Sequence, residues 1–163
     1  MRTRPNMTPA IDLAKQLKLS YQLHDYSHDS HAQSYGLEAA QKLGVAAEQV
    51  FKTLVVQTET AMLAVAIVPV NTTVSFKKMA KAIGCKKVQM AQPQQVERST
   101  GYILGGVSPL AQKKRLLTII DHSARDQATI YVSAGRRGLE IELPAQQLAD
   151  TLNARFVDIA DNS

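Results

Sequence analysis

The chain switches between two hydrophobic periods, and the switches mark its elements. Ile11, Leu13, Ala14 and Leu17 recur near helical spacing after Thr8-Pro9. Thr suits an N-cap and Pro the first helical position, so a helix opens there. Tyr21 to Tyr26 alternates and reads as a strand. Ser34 to Leu43 reads as a helix stopped by Gly44. Phe51 to Gln57 and Met62 to Val70 are β-rich runs split by Thr58-Glu59-Thr60, which predicts a hairpin. Ser75 caps a basic helix from Phe76 to Ile83, ended by Gly84. Lys86 to Met90 is a short strand and Gln92 to Arg98 a short helix. Leu116 to Asp121, Thr129 to Ser133 and Leu139 to Leu143 are strands, Pro144 opens a helix to Leu152, and Phe156 to Ile159 is a final strand.

Strands outnumber helices and their order is mixed. That predicts an α+β domain with a large sheet, mixed or mostly antiparallel. No internal repeat, linker or low-complexity tract interrupts it. Met7 is read as the structural start, with residues 1–6 a disordered extension.

Composition narrows the picture. The 163 residues suit one compact domain, and 45% apolar content can fill its core. Aromatics are 5%, with no Trp, so aliphatic side chains must do most of the packing. Cys85 is the only cysteine, which excludes an internal disulfide and fits a reducing compartment. The most apolar stretch, Ala61 to Val70, is too short to span a bilayer, and no apolar segment follows Arg2 and Arg4 as a secretory signal requires. A soluble, cytoplasmic protein is expected, with no membrane partner. Residues 51–120 carry ten basic groups against two acidic, a local balance of +8 within a net +5. A polyanion footprint and a solvated basic face both fit that charge.

Candidate chemistry is sparse. His24, His28 and His31 cluster in sequence, but Ser27, Asp29 and Ser30 argue for a turn that would scatter them. Surface histidines are the reading, with no metal site and no cofactor. Cys85, in Gly84-Cys85-Lys86-Lys87, has no His or Asp at a partner spacing and reads as a small structural residue. Gly105-Gly106 either ends a strand or lets backbone N–H groups approach a developing oxyanion. Lys52 sits in an apolar run, Val50 to Val56, where burying an ammonium is costly. It either faces outward or fixes a phosphate, ribose hydroxyl or carbonyl. Lys113-Lys114-Arg115, together with Lys86 and Lys87, could meet a tRNA end or be a solvated turn. Gly135-Arg136-Arg137-Gly138 reads as a tight hairpin with two exposed cations.

Four segments in register carry a resemblance: His24-Asp25-Tyr26, Val50-Phe51-Lys52-Thr53-Leu54, Arg98 to Pro109, and Tyr131-Val132-Ser133-Ala134-Gly135. From about Met7 to Ala160 the chain resembles the YbaK/EbsC family of aminoacyl-tRNA editing proteins, and most closely its Cys-tRNA(Pro) deacylase branch. The resemblance implies one editing domain over 7–160, with a curved, barrel-like mixed sheet surrounded by helices, as in prolyl-tRNA synthetase editing domains. It implies a deacylase that removes cysteine mischarged onto tRNA(Pro), the substrate thiol attacking its own ester. Deacylation of Ala-tRNA(Pro), or a non-catalytic tRNA- or synthetase-binding module, are the alternatives. It places Tyr26, Lys52, Gly105 and Ser133 on catalytic pocket positions, Lys52 on the family's invariant lysine. Glu140, Gly106 and Thr53 are implied as substrate contacts, with Glu140 standing where close relatives have Asp. The implied partners are the mischarged tRNA(Pro) acceptor end and prolyl-tRNA synthetase in a ternary complex.

Overall fold

The computed structural model describes residues 7–28 and 35–162. The expected extension at residues 1–6, and His31, lie outside the described residues. Thr8 caps helix α1 (Pro9–Gln16) by accepting the Ile11 N–H at 3.2 Å. Strand β1 (Gln22–Asp25) and helix α2 (Tyr35–Leu43) follow. The expected hairpin is β2 (Phe51–Thr58) and β3 (Leu63–Pro69), antiparallel from Phe51↔Pro69 to Gln57↔Leu63. Helix α3 (Phe76–Ile83) starts at the Ser75 cap and stops at Gly84, whose φ of 90° suits glycine. Then come β5 (Val88–Met90), α4 (Pro93–Thr100), β6 (Leu117–Asp121), β7 (Ile130–Arg136), β8 (Leu139–Leu143) and α5 (Ala145–Leu152).

The end of the chain differs from expectation. The single strand predicted over 156–159 is β9 (Arg155–Val157), which runs parallel to β6, and β10 (Ala160–Asp161), which pairs with the two-residue β4 (Thr73–Val74). Asp121 explains the break. One oxygen of this buried carboxylate accepts the N–H groups of Ile159 and Ala160 at 3.0 and 3.1 Å. Those groups are thereby taken off the β6 ladder.

The main sheet has five strands in the order β5-β2-β3-β6-β9, antiparallel over its first three and parallel over its last three. A second sheet, β1-β8-β7, is antiparallel. The two touch at one parallel bridge, Val50↔Tyr131. The expected α+β class and mixed sheet are present. Among the described residues the strands form separate sheets rather than one continuous closed barrel.

Both faces of the main sheet are covered. Phe51, Val55, Ile67 and Ile120 face a core shared with Ile130, Ile141, Leu143 and Leu148. Val56, Ala66, Val68 and Ile119 face a second cluster completed by Met79 and Val88. That is why β3 reads as an unbroken apolar run rather than an alternation.

One irregularity positions the site. Val70 N–H bonds Val50 C=O at 2.8 Å, whereas Val55 C=O turns the other way and accepts the Ala91 N–H at 3.0 Å. Odd-numbered positions of β2 therefore point their backbone groups away from β3. This also explains why Pro69, with no N–H, is tolerated opposite Phe51. On that outer edge β5 pairs only with Val56 to Thr58. Among the described residues the edge at Thr53 has no strand neighbour.

Candidate active site

A cavity of about 510 Å³ opens beside that uncovered edge, where β2 and β7 part beyond their single bridge. Phe51, Lys52, Thr53 and Leu54 form one wall and Ser133 and Glu140 another. Tyr26, Tyr35 and Gly36 stand on the α2 side, and Leu104, Gly105 and Val107 come from the loop after α4. Six of the residues singled out in sequence, Tyr26, Lys52, Thr53, Gly105, Ser133 and Glu140, thus line one space.

Lys52 is half-buried, and burial lowers its ammonium below the ordinary lysine range. Among the described residues no carboxylate comes within ion-pair distance of it. Thr53 Oγ1 is buried and has no hydrogen-bond partner among the described residues. An unmet buried hydroxyl costs about 1–3 kcal/mol.

Glu140 and Glu142 lie two apart on β8 and share a face, yet their acidities diverge. Glu140 is 7% exposed, and burial pushes its carboxyl up to about 8. Glu142 accepts the Thr129 hydroxyl at 2.6 Å and lies 2.8 Å from His24 Nε2, and these contacts hold it below the ordinary range. His24 is thus occupied beside the cavity, not a ligand in it. Glu140 pairs across the sheet with Ser133, so the two side chains share the cavity face. Ser133 Oγ accepts the Gly135 N–H at 3.2 Å, leaving its proton free to donate. Burial first, and Glu140 second, push the Tyr26 phenol up to about 12.

The two glycines separate. Gly105 has φ +95°, and a Cβ on it would stand 3.0 Å from the Tyr35 ring. Its N–H makes no hydrogen bond to a described residue. Gly106 does not line the cavity. Its N–H is spent on Ile103 C=O at 2.9 Å, and a Cβ there would meet Arg136 Cα at 2.6 Å. Gly106 is thus fixed by packing, and of the two expected oxyanion donors only Gly105 lines the cavity.

Arg137 corrects the reading of an exposed hairpin cation. Its guanidinium stacks 4.1 Å above the Tyr35 ring and lies 3.2 Å from Glu38 Oε1, a carboxylate 4% exposed. The β7–β8 turn is thereby bound to α2, which carries Tyr35 and Gly36 to the cavity. Arg136 is exposed, as expected. Tyr35, Gly36, Leu104 and Val107 were not foreseen as cavity residues. A glycine inside a helical pattern was the one available signal. A Cβ on Gly36 would stand 2.3 Å from Val70 Cγ1, so the helix can sit this close only with glycine.

The basic clusters lie elsewhere. Lys113, Lys114 and Arg115 are exposed in the α4–β6 connection, and none lines the cavity. Lys86 and Lys87 line a separate groove. Cys85 packs partly against the second core, and burial raises its thiol, the opposite of an activated nucleophile. Asp121, His122 and Asp158 gather possible ligand atoms. Asp121 is already bonded to Ser123 and to the Ile159 and Ala160 N–H groups, and Asp158 to Lys78 at 3.1 Å.

Residues 30–151 match the family model of the aminoacyl-tRNA editing domain. The chain belongs to this family. A 153-residue stretch is 35% identical to EbsC of Enterococcus faecalis, provisionally named a Cys-tRNA(Pro)/Cys-tRNA(Cys) deacylase, covering 93% of this chain and 92% of that one. A 25% identical match to a proline–tRNA ligase of Pelobacter propionicus covers 75% of this chain and 21% of the ligase. A crystal structure provisionally described as a trans-editing enzyme for prolyl tRNA synthetase superposes with TM-score 0.81 at 19% identity, over 98% of this chain and 99% of that one. The match thus spans nearly all of EbsC but only about a fifth of the ligase. No helix of the described residues is long and apolar enough to cross a membrane.

Proposed function

We propose that this editing-domain protein is a trans-acting deacylase that clears cysteine mischarged onto tRNA(Pro). The observation that carries the reading is the cavity itself. It combines a half-buried ammonium and a glycine N–H, neither with a partner among the described residues, and a protonatable carboxyl on the facing wall.

Lys52 holds the 3′-terminal ribose or its phosphate, so that the ester carbonyl meets the Gly105 N–H. The thiol of the esterified cysteine then attacks its own carbonyl carbon. The C–S bond forms, the bond to the ribose oxygen breaks, and the thiol proton passes to that oxygen. The products are a cyclic thiolactone and free tRNA. A thiol near its ordinary pKa of about 8.5 is a few per cent thiolate at neutral pH and strongly nucleophilic. Confinement in the cavity supplies the effective concentration, and the Gly105 N–H stabilises the oxyanion. Ser133 offers its hydroxyl to the substrate, and Thr53 contacts it from the strand wall. Glu140, largely protonated when the cavity is empty, would release its proton as the substrate ammonium approaches. Lys86, Lys87, Lys113, Lys114 and Arg115 are the candidate contacts to the tRNA body, with prolyl-tRNA synthetase supplying tRNA choice in a ternary complex.

The test is ester loss from mischarged tRNA. Cys-tRNA(Pro) should be deacylated well above the buffer rate. Ser-tRNA(Pro), similar in shape but a poor nucleophile, should be cleaved much more slowly. Lys52→Ala should abolish turnover with the fold intact. Equal rates for the serine and cysteine esters would refute substrate assistance. Loss of Ala-tRNA(Pro) in preference to Cys-tRNA(Pro) would reassign the substrate.

A further inference from the structure

A second groove, of about 550 Å³, lies between α3 and β5 on the far side of the main sheet from the first core. Lys77 and Lys81 line it from the helix, and Lys86 and Lys87 from the turn before β5. All four are exposed, and among the described residues none makes an ion pair. Lys78, between them on the helix, is different. It pairs with Asp158 at 3.1 Å and donates to Ala160 C=O at 3.0 Å. Lys77 and Lys81 are four residues apart, a spacing at which like charges destabilise a helix. Glu59 is the neighbouring carboxylate, but one of its oxygens accepts the main-chain N–H groups of both Lys86 and Lys87 at 3.1 Å. Four ammonium groups therefore face one carboxylate that is already bonded. Phe76, 43% exposed, adds a flat apolar face to the same wall.

Part of the cavity wall lies on the sheet face that carries the groove. Lys52, Leu54 and Val56 point the same way from β2. Leu54 lines the cavity and rests on the cluster of Val56, Met79, Ala80 and Val88. Ala80 and Val88 line the groove. Val88 pairs with Thr58, six residues along β2 from Lys52, which at about 3.3 Å per residue puts the groove about 20 Å from Lys52.

We propose that this α3–β5 groove binds the phosphate backbone of the tRNA whose 3′ end enters the cavity, with Phe76 available to stack on an unpaired base. The inference rests on the functional reading above, and it adds Lys77, Lys81 and Phe76 to the expected contacts. Uncharged tRNA(Pro) is the probe, because its binding needs no catalysis. Affinity would be measured from 50 to 200 mM salt, where each lost phosphate contact makes the slope of log K against log salt shallower by about one. For K77Q/K81Q/K86Q/K87Q, with an unchanged far-UV spectrum and melting curve, the slope should fall by about three to four. Affinity at the lowest salt should drop at least tenfold. K113Q/K114Q/R115Q should lose less. Wild-type-like binding by the four-lysine variant overturns the proposal, as does a larger loss in the Lys113–Arg115 variant. Unchanged tRNA affinity with lost binding to prolyl-tRNA synthetase would make the groove a protein-docking face, and also overturns it. Should no ester be cleaved while tRNA binding still depends on the four lysines, the deacylase reading fails and the groove stands.

Discussion

Glu140 gives the sharpest quantitative expectation. Its carboxyl is raised from 4.5 to about 8, and burial is the cause. A raised carboxyl means that the folded state keeps a proton which the unfolded chain releases. Stability is therefore fully present below about pH 4.5, declines as pH rises towards 8, and levels off above it. Each tenfold difference in proton affinity between the two states is worth about 1.4 kcal/mol, so the full loss is about 5 kcal/mol, of which about 3 is already felt at pH 7. Glu140→Gln is neutral at every pH and has nearly the same shape. The constant effect of exchanging a hydroxyl for an amide displaces the whole curve, so the informative quantity is the gap between variant and wild type as pH changes. That gap should widen in favour of the variant by about 3 kcal/mol from pH 5 to pH 8. With no Trp in the chain, urea unfolding would be followed by far-UV circular dichroism. A gap that stays flat or narrows over this range would show that Glu140 is ionised in the folded protein and has a partner.

Three further outcomes follow from packing. Arg137→Ala removes an ion-pair partner of buried Glu38 and should cost about 1–3 kcal/mol, read as a lower urea midpoint. It should also loosen α2, so that deacylation falls along with stability. Gly106→Ala places a Cβ 2.6 Å from Arg136 Cα and should lower the melting temperature by several degrees, roughly 2 kcal/mol, although Gly106 does not line the cavity. Cys85→Ala should keep deacylase activity at wild-type level and change stability by about 1 kcal/mol or less, since its thiol makes a weak bond to Lys87 C=O at 3.6 Å and packs partly on the second core.

Elements with strong local signals were legible. Ser75 and Gly84 bracket α3 because an N-cap hydroxyl and a left-handed glycine act within one helical turn. The β2–β3 hairpin was equally plain, its two apolar runs lying next to each other in sequence. What escaped depends on distant partners. β4 and β10 are two residues each, too short to alternate, and exist through a pairing some 87 positions apart and the grip of Asp121. Arg137 looked like an idle turn cation because Glu38 lies 99 residues away. Lys52 was conspicuous as a charge inside an apolar strand. Nothing local distinguished Gly105 from Gly106, since the difference is which N–H the turn consumes. The grouping of Tyr26, Ser133 and Glu140 with Lys52 came from family resemblance, and no periodicity in the chain would have brought them together.

The uncovered stretch of β2 limits what mutagenesis can reveal. A neighbouring strand would have claimed the Thr53 N–H and C=O, but β5 stops short. Those groups belong to the chain itself, so every side-chain substitution at position 53 except proline carries the donor through intact. Should a ligand bond to those groups, an alanine scan would credit the surrounding side chains with the whole of its recognition. Only an alteration of the main chain, such as replacing the amide between Lys52 and Thr53 by an ester, would expose the remainder. A recognition element of this kind can also persist while the residues around it diverge, which would let one cavity be retuned for different aminoacyl groups without rebuilding its floor.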